Sequence, residues 1–187
     1  MPNKFRQKER HNVFYYTKDE LTRLLAAADE SSPLYGLLLR TCYRHAFRIS
    51  EALGLTTGNV KAGRLVVRRS KGGKLTHQPM SAELTAYVQT LAPDSKLFPI
   101  CTGKRQDSAT RAVNRLLGRL CAQVGIEPCK AHSHALRHSL VHHGMEAGIT
   151  LPQLTVILGH ADPKSVMHYT IATEQEAEIA LTAVVGS

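Results

Sequence analysis

Six side chains spread along this chain carry the chemistry of phosphate: Arg48, Lys71, His134, Arg137, His160 and Tyr169. Two arginines, a lysine and two histidines could neutralise a phosphodiester, and a tyrosine beyond them could attack it. Arg48 stands in Arg48-Ile49-Ser50-Glu51, so Glu51 can share a helical face with the guanidinium and hold it in place. His134-Ala135-Leu136-Arg137 repeats that spacing near a helix N-terminus, whose partial positive charge adds to theirs. Lys71 lies in Ser70-Lys71-Gly72-Gly73-Lys74, a hairpin tip from which a long ammonium can reach a neighbouring groove. Lys74, in the same turn, is the competing assignment. His160 leaves the helix ending at Leu158-Gly159, and Tyr169 follows nine residues later. Phenol is a poor nucleophile at its free pKa of about 10, so Tyr169 needs a cationic pocket of this kind.

The elements that must position these groups are readable from periodicity and caps. Thr17-Lys18-Asp19-Glu20 is a capping box, followed by Leu21, Leu24, Leu25 and Ala27 at helical spacing. Helices are expected over 34–44 and 49–55, then a turn at Thr57-Gly58-Asn59. Short strands are expected over 64–68 and 75–79, joined as a hairpin through the lysine turn. Further helices are expected near 81–92, 107–124, 134–147, 151–158 and 163–171. Ser81, Asp107 and Thr150 are the expected N-caps, and Gly148 and Gly159 the stops. Asp162-Pro163 reads as a cap with proline at the first helical position. The fold class is therefore mainly α with a small antiparallel β-sheet.

The segments Phe47-Arg48-Ile49-Ser50-Glu51-Ala52-Leu53-Gly54-Leu55, Ser70-Lys71-Gly72-Gly73-Lys74, His134-Ala135-Leu136-Arg137-His138-Ser139 and Leu158-Gly159-His160 with Tyr169 together resemble the catalytic domain of the tyrosine recombinases, the phage integrase family. The resemblance runs from about Thr17 to about Ala172. It implies a metal-independent, cofactor-free, site-specific recombinase that cuts and rejoins DNA through a 3′-phosphotyrosine, as in integration, excision or inversion by a mobile genetic element. Tyr169 is then the nucleophile, Lys71 the general acid and His134 the general base. Arg48, Arg137 and His160 stabilise the transition state, with Glu51 in support. The implied partners are double-stranded DNA with inverted-repeat half-sites, accessory DNA-bending proteins, and sister protomers in a synaptic homo-tetramer that is a monomer off DNA.

Charge agrees with a polyanionic partner: 24 Lys and Arg against 15 Asp and Glu give +9 in 187 residues. Arg111, Arg115 and Arg119 recur every fourth residue, a basic stripe that could lie along a DNA backbone beside Lys74. Residues 1–14 read as a flexible basic arm, 15–172 as the catalytic domain, and 173–187 as a C-terminal helix or tail that docks on a neighbouring protomer or folds back. The family's usual N-terminal helical DNA-binding domain has no counterpart ahead of the first helix, which points to a compact type or an excised domain. No apolar stretch approaches the roughly 20 residues of a membrane span, and the first ten residues lack the apolar region of a signal peptide. Cys42, Cys101, Cys121 and Cys129 are widely spaced, which favours free thiols in a reducing cytoplasm, and the resemblance to DNA recombinases implies a nucleoid-associated protein.

Three rivals remain. A non-catalytic DNA-binding regulator of the same family would dispense with the nucleophile. A type IB topoisomerase would share the chemistry without strand exchange. A metal hydrolase would use His134, His138 and His142, spaced by four on one helix, but lacks an acidic partner at motif spacing.

Overall fold

The structure, a computed structural model, describes residues 14–69, 73–100 and 106–159. Thr17 opens α1 (Lys18–Ser31) with the expected capping box: its hydroxyl accepts from the Glu20 N–H at 3.2 Å, and the Glu20 carboxylate accepts from the Thr17 N–H at 2.8 Å. Such a cap is worth about 1 kcal/mol. Pro33 starts α2 (Pro33–Arg44), where its missing N–H costs nothing. The short α3 (Ile49–Leu53) follows.

Three antiparallel strands come next, β1 (Val60–Lys61), β2 (Arg64–Arg68) and β3 (Leu75–Pro79), in the order β1-β2-β3. The two expected strands fall where patterning put them. The third, β1, was not foreseen: it is two residues long, and its turn through Ala62 and Gly63, at φ 48° and 70°, lacks the Asn-Gly or Asp-Gly signature of such hairpins. In β2 and β3, Leu65, Val67, Thr76 and Gln78 point inward, while Arg64, Arg68, Leu75 and His77 are exposed.

Beyond the sheet lie α4 (Ala82–Gln89), α5 (Gln106–Gln123), α6 (Ser133–Glu146) and α7 (Leu151–Leu158). Ser81 caps α4 as expected, its hydroxyl accepting from the Leu84 N–H at 3.2 Å. Asp107 falls inside the first turn of α5 rather than before it, where its charge favours the helix dipole. The α6 cap is His132, whose Nδ1 accepts from the Ala135 N–H at 3.2 Å, so that helix begins one residue before the expected start.

The main core joins α1, α2, α3, α5 and the sheet through Leu24, Leu38, Leu39, Leu55, Leu65 and Leu117, all essentially solvent-free. Burying each such leucine contributes about 1.5–3 kcal/mol. A smaller cluster of Ala46, Val141, Leu154 and Leu158 packs α7 onto α6. Tyr16 ties the entering chain across α6: its N–H donates to the Ser139 hydroxyl at 2.8 Å, and its own hydroxyl donates to the Lys130 carbonyl at 2.7 Å. Among the described residues, Cys42, Cys121 and Cys129 are free thiols, and no helix is long and apolar enough to cross a membrane.

Candidate active site

The site is built outward from the end of α2. The chain leaves that helix through Ala46 in the left-handed region, φ 48°, and the Phe47 N–H returns to the Cys42 carbonyl at 3.0 Å. This is a Schellman-type ending with alanine where glycine is usual, at a cost of about 1–2 kcal/mol. The surroundings offset it, because two guanidinium groups bond the Ala46 carbonyl.

Arg48 comes two residues later. Rather than lying on a helical face with Glu51, it is the residue before the first turn of α3, in extended conformation. Glu51 still holds it at both ends. The carboxylate accepts the Arg48 backbone N–H at 2.9 Å and its guanidinium at 3.0 Å. The Glu51 side chain is 3% exposed and that of Arg48 22%, so a buried carboxylate anchors a cation whose head reaches the surface.

Arg69, which sequence reasoning passed over, stands on the inner side of Glu51. It follows β2, is 2% exposed, and places Nε 3.6 Å from the Glu51 carboxylate. Its donors go to the carbonyls of Leu158 at 3.2 Å, His45 at 3.4 Å and Ala46 at 2.6 Å. Its guanidinium carbon lies 4.6 Å from the centre of the Phe47 ring, a cation–π contact. Burial brings this guanidinium down to about 10, Glu51 working against the shift, and it stays charged at neutral pH. Nothing in the run Arg68-Arg69-Ser70 separates it from an ordinary surface arginine. Its place at the end of an inward-facing alternation, where Leu65 and Val67 precede it, was the available signal.

Arg137 enters from α6. It is 3% exposed and donates to two of the same carbonyls, those of Ala46 and, at 3.4 Å, Leu158. Arg48, Glu51 and Arg137, distant in sequence, thus join one network through Arg69. His134, one turn earlier on α6, is exposed, its ring centre 6.4 Å from those of both His132 and His138. Burial takes His138 down to about 4, with His134, His132 and Arg137 adding in the same direction, so this ring is neutral at physiological pH.

The hairpin closes the site by satisfying the end of α7. Helix C-termini leave carbonyls without partners. Here Gln78 Nε2 donates to Ile157 at 2.8 Å, Arg69 to Leu158, and the Lys74 backbone N–H to Gly159 at 3.1 Å. Gly159 is left-handed, φ 62°, as the Leu158-Gly159 ending required. A β-carbon there would also fall 2.3 Å from Arg69 Cγ, so only glycine fits beneath the arginine stem.

Lys71, His160 and Tyr169 lie outside the described residues; Arg69 and Lys74, which flank the lysine turn, and Gly159, which precedes His160, are joined here. The Lys74 side chain is exposed. Arg111, Arg115 and Arg119 are all exposed on α5, opposite buried Val113, Leu116, Leu117 and Leu120. Among the described residues no group of three or more His, Cys, Asp or Glu is placed to hold a metal ion, so the spacing of His134, His138 and His142 yields no ligand set there.

The network can fix cations around an anion, and comparison with known proteins agrees with that chemistry. The chain belongs to the phage integrase family, whose sequence pattern matches residues 15–176. It is 31% identical over 183 residues to the tyrosine recombinase XerD of Caulobacter vibrioides, an alignment covering 88% of this chain and 60% of that protein. The solved catalytic domain of bacteriophage HP1 integrase superposes with a TM-score of 0.63 at 27% identity, covering 91% of this chain and 94% of that one. XerH recombinase, solved with a palindromic difH substrate after cleavage, superposes with a TM-score of 0.68 at 21% identity, covering 91% of this chain and 53% of that one. The chain thus spans about 60% of the length of curated relatives such as this XerD.

Proposed function

We propose that this chain carries the strand-cleaving centre of a site-specific DNA recombinase. The observation that supports it most is the single network joining Arg48, held by Glu51, to Arg137: the two motif arginines belong to one construction rather than to separate surface ion pairs. In this reading the Tyr169 oxygen bonds to the scissile phosphorus and the 5′-oxygen leaves, giving a 3′-phosphotyrosine. His134 takes the phenol proton and Lys71 protonates the leaving oxygen. Arg48, Arg137 and His160 hold the negative charge that builds on the non-bridging oxygens, a task for which fixed forks of donors are suited. Attack by a 5′-hydroxyl from a partner strand reverses the step and rejoins the DNA, so no external energy source is needed.

The partner is double-stranded DNA with inverted-repeat half-sites, a reading that the palindromic substrate of the XerH complex supports. Arg111, Arg115, Arg119 and Lys74 supply backbone contacts. Synapsis by a homo-tetramer, help from DNA-bending proteins and a place at the nucleoid belong to the same reading. The regulator alternative is not favoured, because the curated relative is itself a recombinase by name.

The test is a suicide DNA substrate, nicked beside the cleavage point and drawn from a randomised pool or from DNA flanking the gene, with chelator present. Wild type should give a covalent protein–DNA band and Tyr169→Phe none. DNA binding without a band from either protein would overturn the reading.

A further inference from the structure

We infer that Arg69 is a positioning residue for the proposed cleavage centre: a buried strut that serves as the inner counter-ion of Glu51 and fixes where Arg48 and Arg137 stand. The inference rests on the recombinase reading for its catalytic consequence, while its structural half does not. Glu51 is nearly solvent-free and faces two cations, Arg48 toward the surface and Arg69 within. A carboxylate at that depth is stable only when paired, and so is a guanidinium at 2% exposure. Removing either therefore weakens the pairing of the other.

Arg69 does more than balance charge. Its fork gathers the His45 and Ala46 carbonyls from the α2–α3 corner and the Leu158 carbonyl from the end of α7. Arg137 is seated on the Ala46 and Leu158 carbonyls as well. Arg69 thus sets the spacing of the platform on which Arg137 rests, and through Glu51 the orientation of Arg48. The stem crosses Gly159, immediately before His160. It touches no substrate itself, being enclosed by Phe47, Glu51 and the α7 terminus. A lysine would keep the charge but not the fork. Methionine would keep the length and neither.

The test compares wild type, Arg69→Met, Arg69→Lys, Glu51→Gln and the Arg69→Met/Glu51→Gln double variant. Single-turnover cleavage of the nicked suicide DNA is followed at saturating DNA and well below each protein's unfolding temperature, alongside DNA affinity and urea unfolding. Misplacement of about an ångström costs on the order of 100-fold in rate. Arg69→Met should therefore lose cleavage by about that factor with DNA affinity within a few-fold of wild type, and Arg69→Lys should recover part of the loss. In unfolding, the double variant should be more stable than the two single losses added together, because it removes both partners of the Arg69–Glu51 pair at once. Wild-type cleavage by folded Arg69→Met, or strictly additive unfolding losses, would overturn the inference. If wild type itself forms no covalent complex, the recombinase reading fails, and the unfolding cycle still decides whether Arg69 and Glu51 are coupled.

Discussion

Arg69 and Arg137 converge on the same two backbone carbonyls, Ala46 and Leu158. Two like charges share a buried platform, and Glu51 beside Arg69 offsets their repulsion. The arrangement makes geometry matter more than charge at Arg137. Arg137→Lys keeps the cation but cannot reach both carbonyls while facing a phosphate. Cleavage at saturating DNA should fall roughly 100- to 1,000-fold, the usual effect of removing a transition-state donor. A nitrocellulose binding assay should find DNA affinity almost unchanged. A loss confined to affinity would place Arg137 outside the reacting centre.

Gly159 carries two separate constraints, a left-handed φ and the Arg69 stem lying where a β-carbon would be. Gly159→Ala should cost about 2–5 kcal/mol in urea unfolding, combining about 1–2 kcal/mol of backbone strain with about 1–3 kcal/mol of overpacking. Gly148, at φ 83° with open space where a β-carbon would go, is the internal control. Gly148→Ala should show only the backbone part, about 1–2 kcal/mol. Equal losses at the two positions would contradict the packing at Arg69.

Acid should destabilise this fold before its carboxylates titrate. Burial depresses His45 to about 4, with Arg69 and Arg44 pushing the same way against the Gln78 hydrogen bond, and His138 also falls to about 4. Both rings are neutral in the folded chain but bind protons in the unfolded chain below its ordinary value of about 6.5. Stability from this source is therefore complete above about pH 6.5 and is lost as pH falls toward 4. Each ring contributes a slope of up to about 1.4 kcal/mol per pH unit. Urea midpoints from pH 7.5 to 5 should fall steadily, and the two ring resonances should remain those of neutral imidazole at pH 5.5. A flat midpoint would contradict the burial of both rings.

The exposed arginines of α5 offer a test independent of the chemistry. If Arg111, Arg115 and Arg119 each neutralise a phosphate, the triple alanine variant should lower the slope of log affinity against log salt by about 3. Binding should weaken similarly on all sequences. An unchanged slope would leave these residues a solvated face.

Much of this was legible in the sequence because the signals were local. The capping box at Thr17, the strands 64–68 and 75–79, and the Gly159 stop each depend on residues adjacent to one another. Arg48 and Glu51 were paired on spacing alone, although Arg48 precedes its helix instead of riding on it. What stayed hidden was non-local. Arg69 bonds residues 24 and 89 positions away, and the alternation that turns it inward names none of those partners. His132 as a cap was equally opaque, since histidine shows its acceptor only once its tautomer is set by the fold. The strand at Val60–Lys61 is too short for alternation to register.

The central claim is that Tyr169 forms the covalent bond to DNA, and mass spectrometry of the trapped complex tests it most directly. Wild type is incubated with nicked suicide DNA in chelator, and the covalent species is digested with nuclease and trypsin. A residual nucleotide is expected on the peptide that begins at Ser165, fragmenting to Tyr169 and absent from Tyr169→Phe. A nucleotide on any other tyrosine, or on a serine, would contradict it.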